Sequence, residues 1–330
     1  MTFSSLIGTY EILTKLNERL AEIGKPPAYD IQLVGCSNMT ELNDGMFSIR
    51  SSSHFRQVKS TDLIIIPAIP PTAGSVARNR IFLPWIVEQY SLGAEVASIC
   101  TGAFLLAATG LLKDRKCSTH WHAANRFSAM YPEVELVPDK LITDDQGIYT
   151  NGGAFSFLNL IVYLIEKHCG RDVAIYCSKF AEIDMDRDCQ SPFSIFLGQK
   201  NHEDETVKQA QHYIENHITE KITVDKLASK YAMSTRSFER RFKSATANTP
   251  LDYIQRVKIE FAKKSFESGR LTIDEVMYAI NYTDRRSFRT IFKKITGMLP
   301  LEYRSKYNKS LDRTRSSEHI GKTPLRGIGA

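Results

Sequence analysis

The residue best placed for chemistry in this sequence is a cysteine at the end of a β-rich run. Residues 95–99 lead into Cys100, and residues 103–108 have the apolar, alanine-rich composition of a helix. This order predicts a strand, a sharp turn and a helix N-terminus, with Cys100 at the turn. Free N–H groups at a helix start lower the pKa of a thiol, so the position predicts a reactive cysteine. A buried, inert cysteine is the alternative.

A second kind of chemistry is indicated by two basic segments about fifty residues apart. In the first, Phe238 and Phe242 are spaced to form one buried face of a helix, and Phe288 and Phe292 repeat this spacing in the second. Arginine and lysine occupy the other faces of both helices. A short helix and a tight turn precede each basic helix, which predicts two tandem helix-turn-helix units.

The elements that must position these basic helices can be read from periodicity and caps. Residues 205–217 have helical spacing, Thr223 caps the start of the next helix, and residues 231–233 form the turn before Ser234 caps the first basic helix. The second copy has its turn at residues 281–283 and its cap at Asp284, and residues 251–267 form the helix that links the two units.

The charge distribution supports a polyanionic partner for the C-terminal part. The net charge of +6 conceals a division, because residues 1–205 hold 18 Lys and Arg against 24 Asp and Glu, whereas residues 206–309 hold 21 against 11. Neutralisation of phosphates by Lys and Arg supplies most non-specific affinity for nucleic acids. A solvated basic surface without a partner is the alternative that charge alone leaves open.

Composition and motif spacing argue against several other classes. A chain of 330 residues favours two domains, and no apolar run approaches the roughly 18 residues of a membrane span. The N-terminus lacks the features of a signal peptide, so we expect a cytoplasmic protein without membrane contact. Six cysteines at irregular spacing predict reduced thiols. Cys117, His120 and His122 match no common zinc spacing, and we predict no metal and no cofactor.

The C-terminal region resembles the DNA-binding domain of the AraC/XylS family over residues 206–307, with the family signature at 273–303. The resemblance implies double-stranded DNA as partner. It places the following residues at base edges: Arg236, Glu239, Arg240, Arg286, Arg289 and Thr290. Of the remaining basic side chains, we expect Lys243, Lys293 and Lys294 to contact phosphates. The chain departs from the family at Met277, Asn281 and Asn248, where Ala, Gly and Gly are usual; Asn tolerates a left-handed backbone, and Met277 would alter packing.

Residues 1–195 resemble the ThiJ/PfpI branch of the class I glutamine-amidotransferase-like superfamily, through the run 98–107, Gly110-Leu111-Leu112 and Thr119-His120-Trp121. The resemblance implies a flavodoxin-like α/β domain with a parallel sheet, whose strands include residues 29–34 and 62–66. It also implies a ligand pocket, with Cys100 as the nucleophile-like residue and a histidine nearby. The pocket residues are Cys100, Thr101, His120, Gly152 and Gly153.

Three departures from the catalytic relatives predict that this domain senses a signal without turnover. Ser5 stands where hydratase-like relatives have an aspartate, which removes the acid or base. Residues 67–69 are Pro-Ala-Ile where relatives have glycines that open an oxyanion hole. The usual first strand is absent or lies upstream of the given start, which would expose a sheet edge. His120 is therefore expected to be a hydrogen-bonding wall and not a base.

These features predict a DNA-binding transcriptional regulator with an all-α, tandem helix-turn-helix domain behind an α/β sensor domain. The predicted divisions are residues 1–195, a linker at 196–205, the DNA-binding domain at 206–307 and a disordered tail at 308–330. By resemblance we expect a homodimer formed through the N-terminal domain, an unknown small-molecule or redox effector, and RNA polymerase as a candidate partner. The alternative is a cysteine-dependent hydratase, amidase or glyoxalase with an accessory DNA-binding module. An RNA-binding module is less consistent with the sequence, which lacks aromatic strand motifs.

Overall fold

The computed structural model describes residues 2–42, 44–200 and 202–308, and the chain divides into two compact units, Met1–Ser191 and Pro192–Ala330. The tail predicted at 308–330 lies outside the described residues except for Asn308. That side chain is buried and donates hydrogen bonds to the carbonyl oxygens of Phe266 (2.8 Å) and Gly269 (2.9 Å). Asn308 therefore belongs to the folded unit.

The first unit alternates strands and helices. Its strands are β1 Val34–Gly35, β2 Met39–Leu42, β3 Phe47–Arg50, β4 Ser53–His54, β5 Leu63–Ile66, β6 Glu95–Ser98, β7 Lys116–Cys117, β8 Glu135–Leu136, β9 Ile142–Asp145 and β10 Ile148–Asn151. Its α-helices are α1 Phe3–Glu22, α2 Ala73–Arg78, α3 Leu83–Ser91, α4 Ala103–Ala108, α5 Ala124–Met130, α6 Phe157–Cys169 and α7 Arg171–Phe180. This order confirms the predicted flavodoxin-like α/β class.

The central sheet has four strands in the order β5-β6-β10-β9. Strands β5, β6 and β10 run parallel, with Ile66 and Thr150 both paired with Ser98, and β9 joins β10 as an antiparallel edge strand. Side chains alternate between the two faces. Ile64 and Ile66 pack with α4 on one face, whereas Ala97 packs with α1 and α6 on the other. The sheet is therefore covered by helices on both sides, as expected of parallel strands.

The strand predicted at residues 29–34 is correct only at its last residue. Val34 pairs in β1, but the backbone before it bonds to side chains instead of a neighbouring strand. The Asn17 amide donates to Tyr29 O (2.7 Å) and accepts from Tyr29 N (3.2 Å), and Leu33 N donates to Ser52 Oγ (3.1 Å). Tyr29 still packs against the core, which explains the apolar alternation that suggested a strand.

The second unit is entirely helical in its described residues. Its helices are α8 Glu205–Asn216, α9 Val224–Lys230, α10 Thr235–Thr246, α11 Pro250–Ser268, α12 Ile273–Ala279, α13 Arg285–Thr296 and α14 Pro300–Tyr307. Two cores divide it: one joins α8, α9 and α10 to the first half of α11, and the other joins α12, α13 and α14 to the second half. The predicted linking helix is α11.

The internal repeat extends to individual hydrogen bonds. Tyr253 OH donates to Glu215 Oε1 (2.8 Å) in the first copy, and Tyr303 OH donates to Glu267 Oε1 (2.5 Å) in the second. Both tyrosines follow a proline at the first turn of the helix behind the basic helix. The repeat therefore reproduces the packing as well as the order of the helices.

The segment predicted as a linker, 196–205, is partly held by the helical unit. The Phe196 ring lies 5.2 Å from that of Tyr253, and Lys200 Nζ lies 2.6 Å from a carboxylate oxygen of Glu215. The boundary between the units falls earlier, after Ser191. None of the described helices combines the length and apolar character that a membrane crossing requires.

Candidate nucleic-acid interface and sensor pocket

The two basic helices are set by the caps that the sequence predicts. Ser234 Oγ accepts from Ser237 N (3.3 Å) at the start of α10, and Asp284 Oδ2 accepts from Ser287 N (2.6 Å) at the start of α13. Such caps satisfy N–H groups that the helix itself leaves open. The caps therefore define the first residue of each basic helix. The face of the helix on which each following side chain lies is defined with it.

The buried stripe of each basic helix leaves its charged face outward. Phe238 and Phe242 are fully buried in the first copy, and Phe288 and Phe292 occupy the same places in the second. The predicted DNA-contacting side chains are all exposed: Arg236, Glu239, Arg240, Lys243, Arg286, Arg289, Thr290 and Lys293, with Lys294 beside them. An amphipathic helix docked by its phenylalanines and charged outside has the form of a recognition helix.

Two further arginines on these helices are engaged by carboxylates. Arg241 Nε is paired with Asp204 at 2.5 Å, and Arg285 Nη2 with Asp274 at 2.5 Å. By contrast, within the described part of the chain no ion pair or side-chain hydrogen bond holds Arg236, Arg240 or Arg289. These pairings separate arginines that are engaged by carboxylates of the protein from arginines available to a ligand.

The second basic helix borders an open groove. The groove is lined by Arg285, Arg286, Arg289, Thr290, Lys293, Lys294 and Leu299. Helix α13 carries no acidic residue, whereas α10 carries Glu239 among its arginines. The second copy therefore offers positive charge alone, and the first combines donors with one acceptor.

The departures from the family pattern are accommodated in this unit. Asn281 has φ of +61°, so it takes the left-handed conformation expected of it. Met277 is fully buried in the second core, beside Val276 and Phe288. Asn248 is not left-handed. The left-handed position of this turn is one residue earlier, at Ala247, whose φ is +58°.

Cys100 lies at a strained turn, as the sequence predicts. Its φ is +55°, between the end of β6 and the start of α4, whose bounds match the predicted helix. Gly102 makes this turn compact, because a Cβ there would lie 2.7 Å from the carbonyl oxygens of Ile66 and Pro67. A left-handed non-glycine residue stores strain and is frequent at functional sites.

The predicted lowering of the thiol pKa is wrong in direction. Burial raises the pKa of Cys100, and hydrogen bonds from Thr101 and from the backbone of His120 offset only part of the increase. Only 7% of the residue is exposed, and α4 is a helix of six residues. Loss of water around the thiolate therefore outweighs the helix-terminal effect.

Thr101 and His120 lie beside Cys100, as the resemblance implies. Thr101 Oγ1 donates to Ile69 O (2.6 Å), and His120 Nδ1 accepts from His122 N (3.1 Å). Burial and the neighbouring His122 lower the pKa of His120. The imidazole is therefore neutral at physiological pH, with Nε2 carrying the proton as a donor.

Ser5 blocks a donor that catalysis would need. Its hydroxyl accepts from Ala68 N (3.2 Å) and donates to Thr2 O (2.7 Å), and the side chain is buried. Ala68 lies in the segment where catalytic relatives are expected to form an oxyanion hole. Since Ser5 occupies its N–H, this amide is not available to an oxyanion.

Gln190 is a residue of this region that sequence reasoning missed. Its amide donates to Thr119 O (2.8 Å) and Pro138 O (2.7 Å) and accepts from Trp121 N (3.1 Å), and the residue is 1% exposed. Gly152 lies against it, since a Cβ there would stand 2.1 Å from Gln190 Nε2. No periodicity or motif marks a lone glutamine, and only its contacts reveal its place.

Gly153 has a different role from that of Gly152. Its φ is +84°, and a Cβ would meet Ser156 Oγ at 2.2 Å, so it permits the turn into α6. The structure therefore brings Cys100, Thr101 and His120 together, connects Gly152 to the His120 loop through Gln190, and gives Gly153 a backbone function.

Comparison with known proteins matches a different family model to each of the two units. A family model described as a helix-turn-helix domain matches residues 227–306, and one described as the DJ-1/PfpI family matches residues 25–167. The chain combines a DJ-1/PfpI domain with an AraC-type helix-turn-helix domain. The family match spans the groove-forming helix α13 in one domain and the Cys100 turn in the other.

Curated relatives of this chain are named as regulators. It is 23% identical over 249 residues to the HTH-type transcriptional regulator GbdR of Pseudomonas aeruginosa. The aligned residues cover 74% of this chain and 66% of GbdR. It is 35% identical over 101 residues to the Xylose operon regulatory protein of Escherichia coli, covering 31% of this chain and 26% of that protein. The chain thus spans just under two thirds of the length of GbdR.

A solved AraC family transcriptional regulator from Pseudomonas putida is similar to part of the chain. It is 16% identical, covers 55% of this chain and 93% of its own, and has a TM-score of 0.45.

The Cys100 environment leads to a reactivity prediction. We expect iodoacetamide to modify the exposed Cys36 quickly and Cys100 slowly in the native protein at neutral pH, because the thiolate is the reactive form and burial disfavours it. Peptide mass mapping over time measures both sites. The Cys36→Ser variant serves as control, and Cys100 modification at the rate of Cys36 would contradict the burial argument.

Proposed function

We propose that this AraC-family chain is a transcriptional regulator that binds DNA sequence-specifically. The observation that carries the proposal is the pair of capped, phenylalanine-docked helices α10 and α13. Four of their exposed arginines have no side-chain partner in the described residues: Arg236, Arg240, Arg286 and Arg289. The family match and the named regulators support it. Such a protein would act on DNA in the cytoplasm.

The two helices divide the work of recognition. Arg236, Arg240, Arg286 and Arg289 can each bind guanine O6 and N7 with two donors, and Glu239 can accept from cytosine N4. Thr290 adds a short polar side chain to the same face as Arg289. Lys243, Lys293 and Lys294 have the reach and charge for phosphates, which supply affinity without selecting sequence. The mixed charge of α10 favours base selection, and the purely basic α13 favours affinity.

The N-terminal domain is proposed to sense a small molecule or a redox change beside Cys100. The neutral His120 and the protonated thiol favour an uncharged, hydrogen-bonding ligand over an anion. Gln190 supplies a route for coupling, because it binds the His120 loop at Thr119 and Trp121 and lies two residues before the second unit begins. Displacement of that loop would break the hydrogen bonds of Gln190 to Thr119 and Trp121.

Catalytic turnover is not part of the proposal. The Ser5 hydroxyl holds the Ala68 amide, no carboxylate stands in the place of the acid or base, and the curated relatives are regulators. By family resemblance we further propose a homodimer through the N-terminal domain, and RNA polymerase as a partner at the promoter.

The function is tested by selecting DNA from a random-sequence pool with the purified full chain. We expect enrichment of sequences that share two conserved segments, one for each helix-turn-helix unit. The Glu239→Gln variant should enrich a pool with relaxed preference at a single position, because the carboxylate acceptor is lost. Recovery of DNA without any common sequence would overturn the proposal.

A further inference from the structure

The two helix-turn-helix units touch through a contact that the internal repeat does not duplicate. In the second copy, the turn between α12 and α13 carries Asn281 and Tyr282. Asn281 Nδ2 donates to Thr219 O (3.2 Å), which lies in the loop between α8 and α9 of the first copy. The first copy has Ala232 at the matching left-handed position, and alanine has no side-chain donor.

A buried lysine lies next to this contact. Lys258, on the shared helix α11, is 6% exposed, and its Nζ donates to Glu220 O (3.3 Å) in the same loop. The ammonium also lies 5.7 Å from the centre of the Tyr282 ring. The lysine therefore contacts the loop of the first copy and the turn of the second at once.

The groups around the ammonium show that its charge is not there for an ion pair. No carboxylate in the described residues pairs with Lys258; its neighbours are a carbonyl oxygen and an aromatic face, and burial lowers its pKa. Burying a charge in this way costs desolvation free energy unless the contacts of the charged group offset that cost. An apolar residue would fill the same space without that cost. The contacts that distinguish lysine at this position are those of its ammonium with Glu220 O and the Tyr282 ring.

We propose that Lys258, Asn281 and Tyr282 brace the two helix-turn-helix units in one mutual orientation, so that the chain reads two DNA segments at a single preferred spacing. The brace joins the Thr219–Glu220 loop to the turn directly before α13. It therefore controls the direction of the second recognition helix relative to the first. The spacing claim rests on the proposed DNA-binding function, whereas the orientation claim does not.

Two substitutions remove the brace while retaining the fold. Lys258→Met keeps an unbranched side chain and removes the charge, a change that is often neutral for stability at a buried site. Asn281→Gly keeps the left-handed turn and removes the amide. Thermal unfolding of the full-length double variant checks that both cores remain intact.

The orientation is measured without DNA, on the full chain. Nitroxides carried by non-natural amino acids at positions 244 and 294, on the exposed faces of α10 and α13, report the distance between the helices by pulsed electron resonance. We expect a narrow distribution in the parent and a broad one in the double variant. Equal widths in the two proteins would overturn the brace, whatever the protein does with DNA.

The spacing is measured on a selected DNA site and on the same site with about two base pairs inserted, which turns one segment roughly 70° about the duplex. We expect the insertion to weaken binding of the parent roughly tenfold or more, and binding of the double variant less than about threefold. Equal losses in both proteins would overturn the spacing claim. A parent that selects no sequence but shows the narrow distribution would remove the proposed function and leave the brace intact.

Discussion

Replacing Arg289 by alanine is expected to weaken binding to the selected DNA site roughly 5- to 150-fold, the range for losing one two-donor contact to guanine. Arg240→Ala should have an effect of the same order from the first copy. Both side chains are exposed on recognition helices and have no partner in the described residues, so their loss leaves the fold unchanged. Fluorescence anisotropy at fixed salt measures the affinities.

The control for these two variants is a substitution with the same charge change elsewhere. Arg171→Ala removes an exposed arginine of the first unit, which pairs with Glu166 at 2.7 Å. It should alter DNA affinity less than about twofold, because surface pairs contribute little. If Arg171→Ala weakened binding as much as Arg289→Ala, net charge and not helix position would govern affinity.

The second large effect is expected at Gly152. Gly152→Ala places a methyl group 2.1 Å from Gln190 Nε2 and 2.7 Å from Ser118 Oγ, in a site where Gln190 is fixed by several hydrogen bonds. Overpacking together with loss of these buried bonds should lower the free energy of unfolding of the first unit by about 2 to 5 kcal/mol. Denaturant unfolding followed by circular dichroism measures it.

A double-mutant cycle separates this steric effect from a general loss of stability. In the Gln190→Ala background the closest clash is removed and the contact with Ser118 Oγ at 2.7 Å remains, so Gly152→Ala should cost less there than in the parent. Gly74→Ala is the matched control, because its new Cβ would meet only a flexible arginine at 3.8 Å. Additive effects of the two substitutions would show that Gln190 does not contact Gly152.

The helical domain could be predicted from the sequence almost to its helix ends. The reason is local: the caps Ser234 and Asp284 and the paired phenylalanines act within one or two turns of their own helix. The contact between Asn281 and Thr219 spans 62 residues, and no local pattern indicates it. The same holds for the contacts of Gln190 with the His120 loop.

The sequence predicts the class of the N-terminal domain but not its details. The strand predicted at residues 29–34 is present only at Val34, because the Asn17 side chain takes the backbone hydrogen bonds of Tyr29, an interaction across 12 residues. The pKa of Cys100 was predicted in the wrong direction because the helix terminus is visible in the sequence, whereas burial depends on the whole fold. Local sequence signals thus predict the position of the Cys100 turn but not the burial of its thiol.

Sequence-specific recognition is tested by the salt dependence of binding of the full chain to its selected site and to a scrambled duplex of equal length. We predict that the affinity for both duplexes falls as the salt concentration rises. The logarithm of the binding constant should fall against the logarithm of the salt concentration with a slope of about −0.9 for each phosphate contact. The selected site should remain preferred by about a thousandfold or more at physiological salt. Binding that responds to salt alone, with equal affinity for both duplexes, would contradict sequence-specific recognition by α10 and α13.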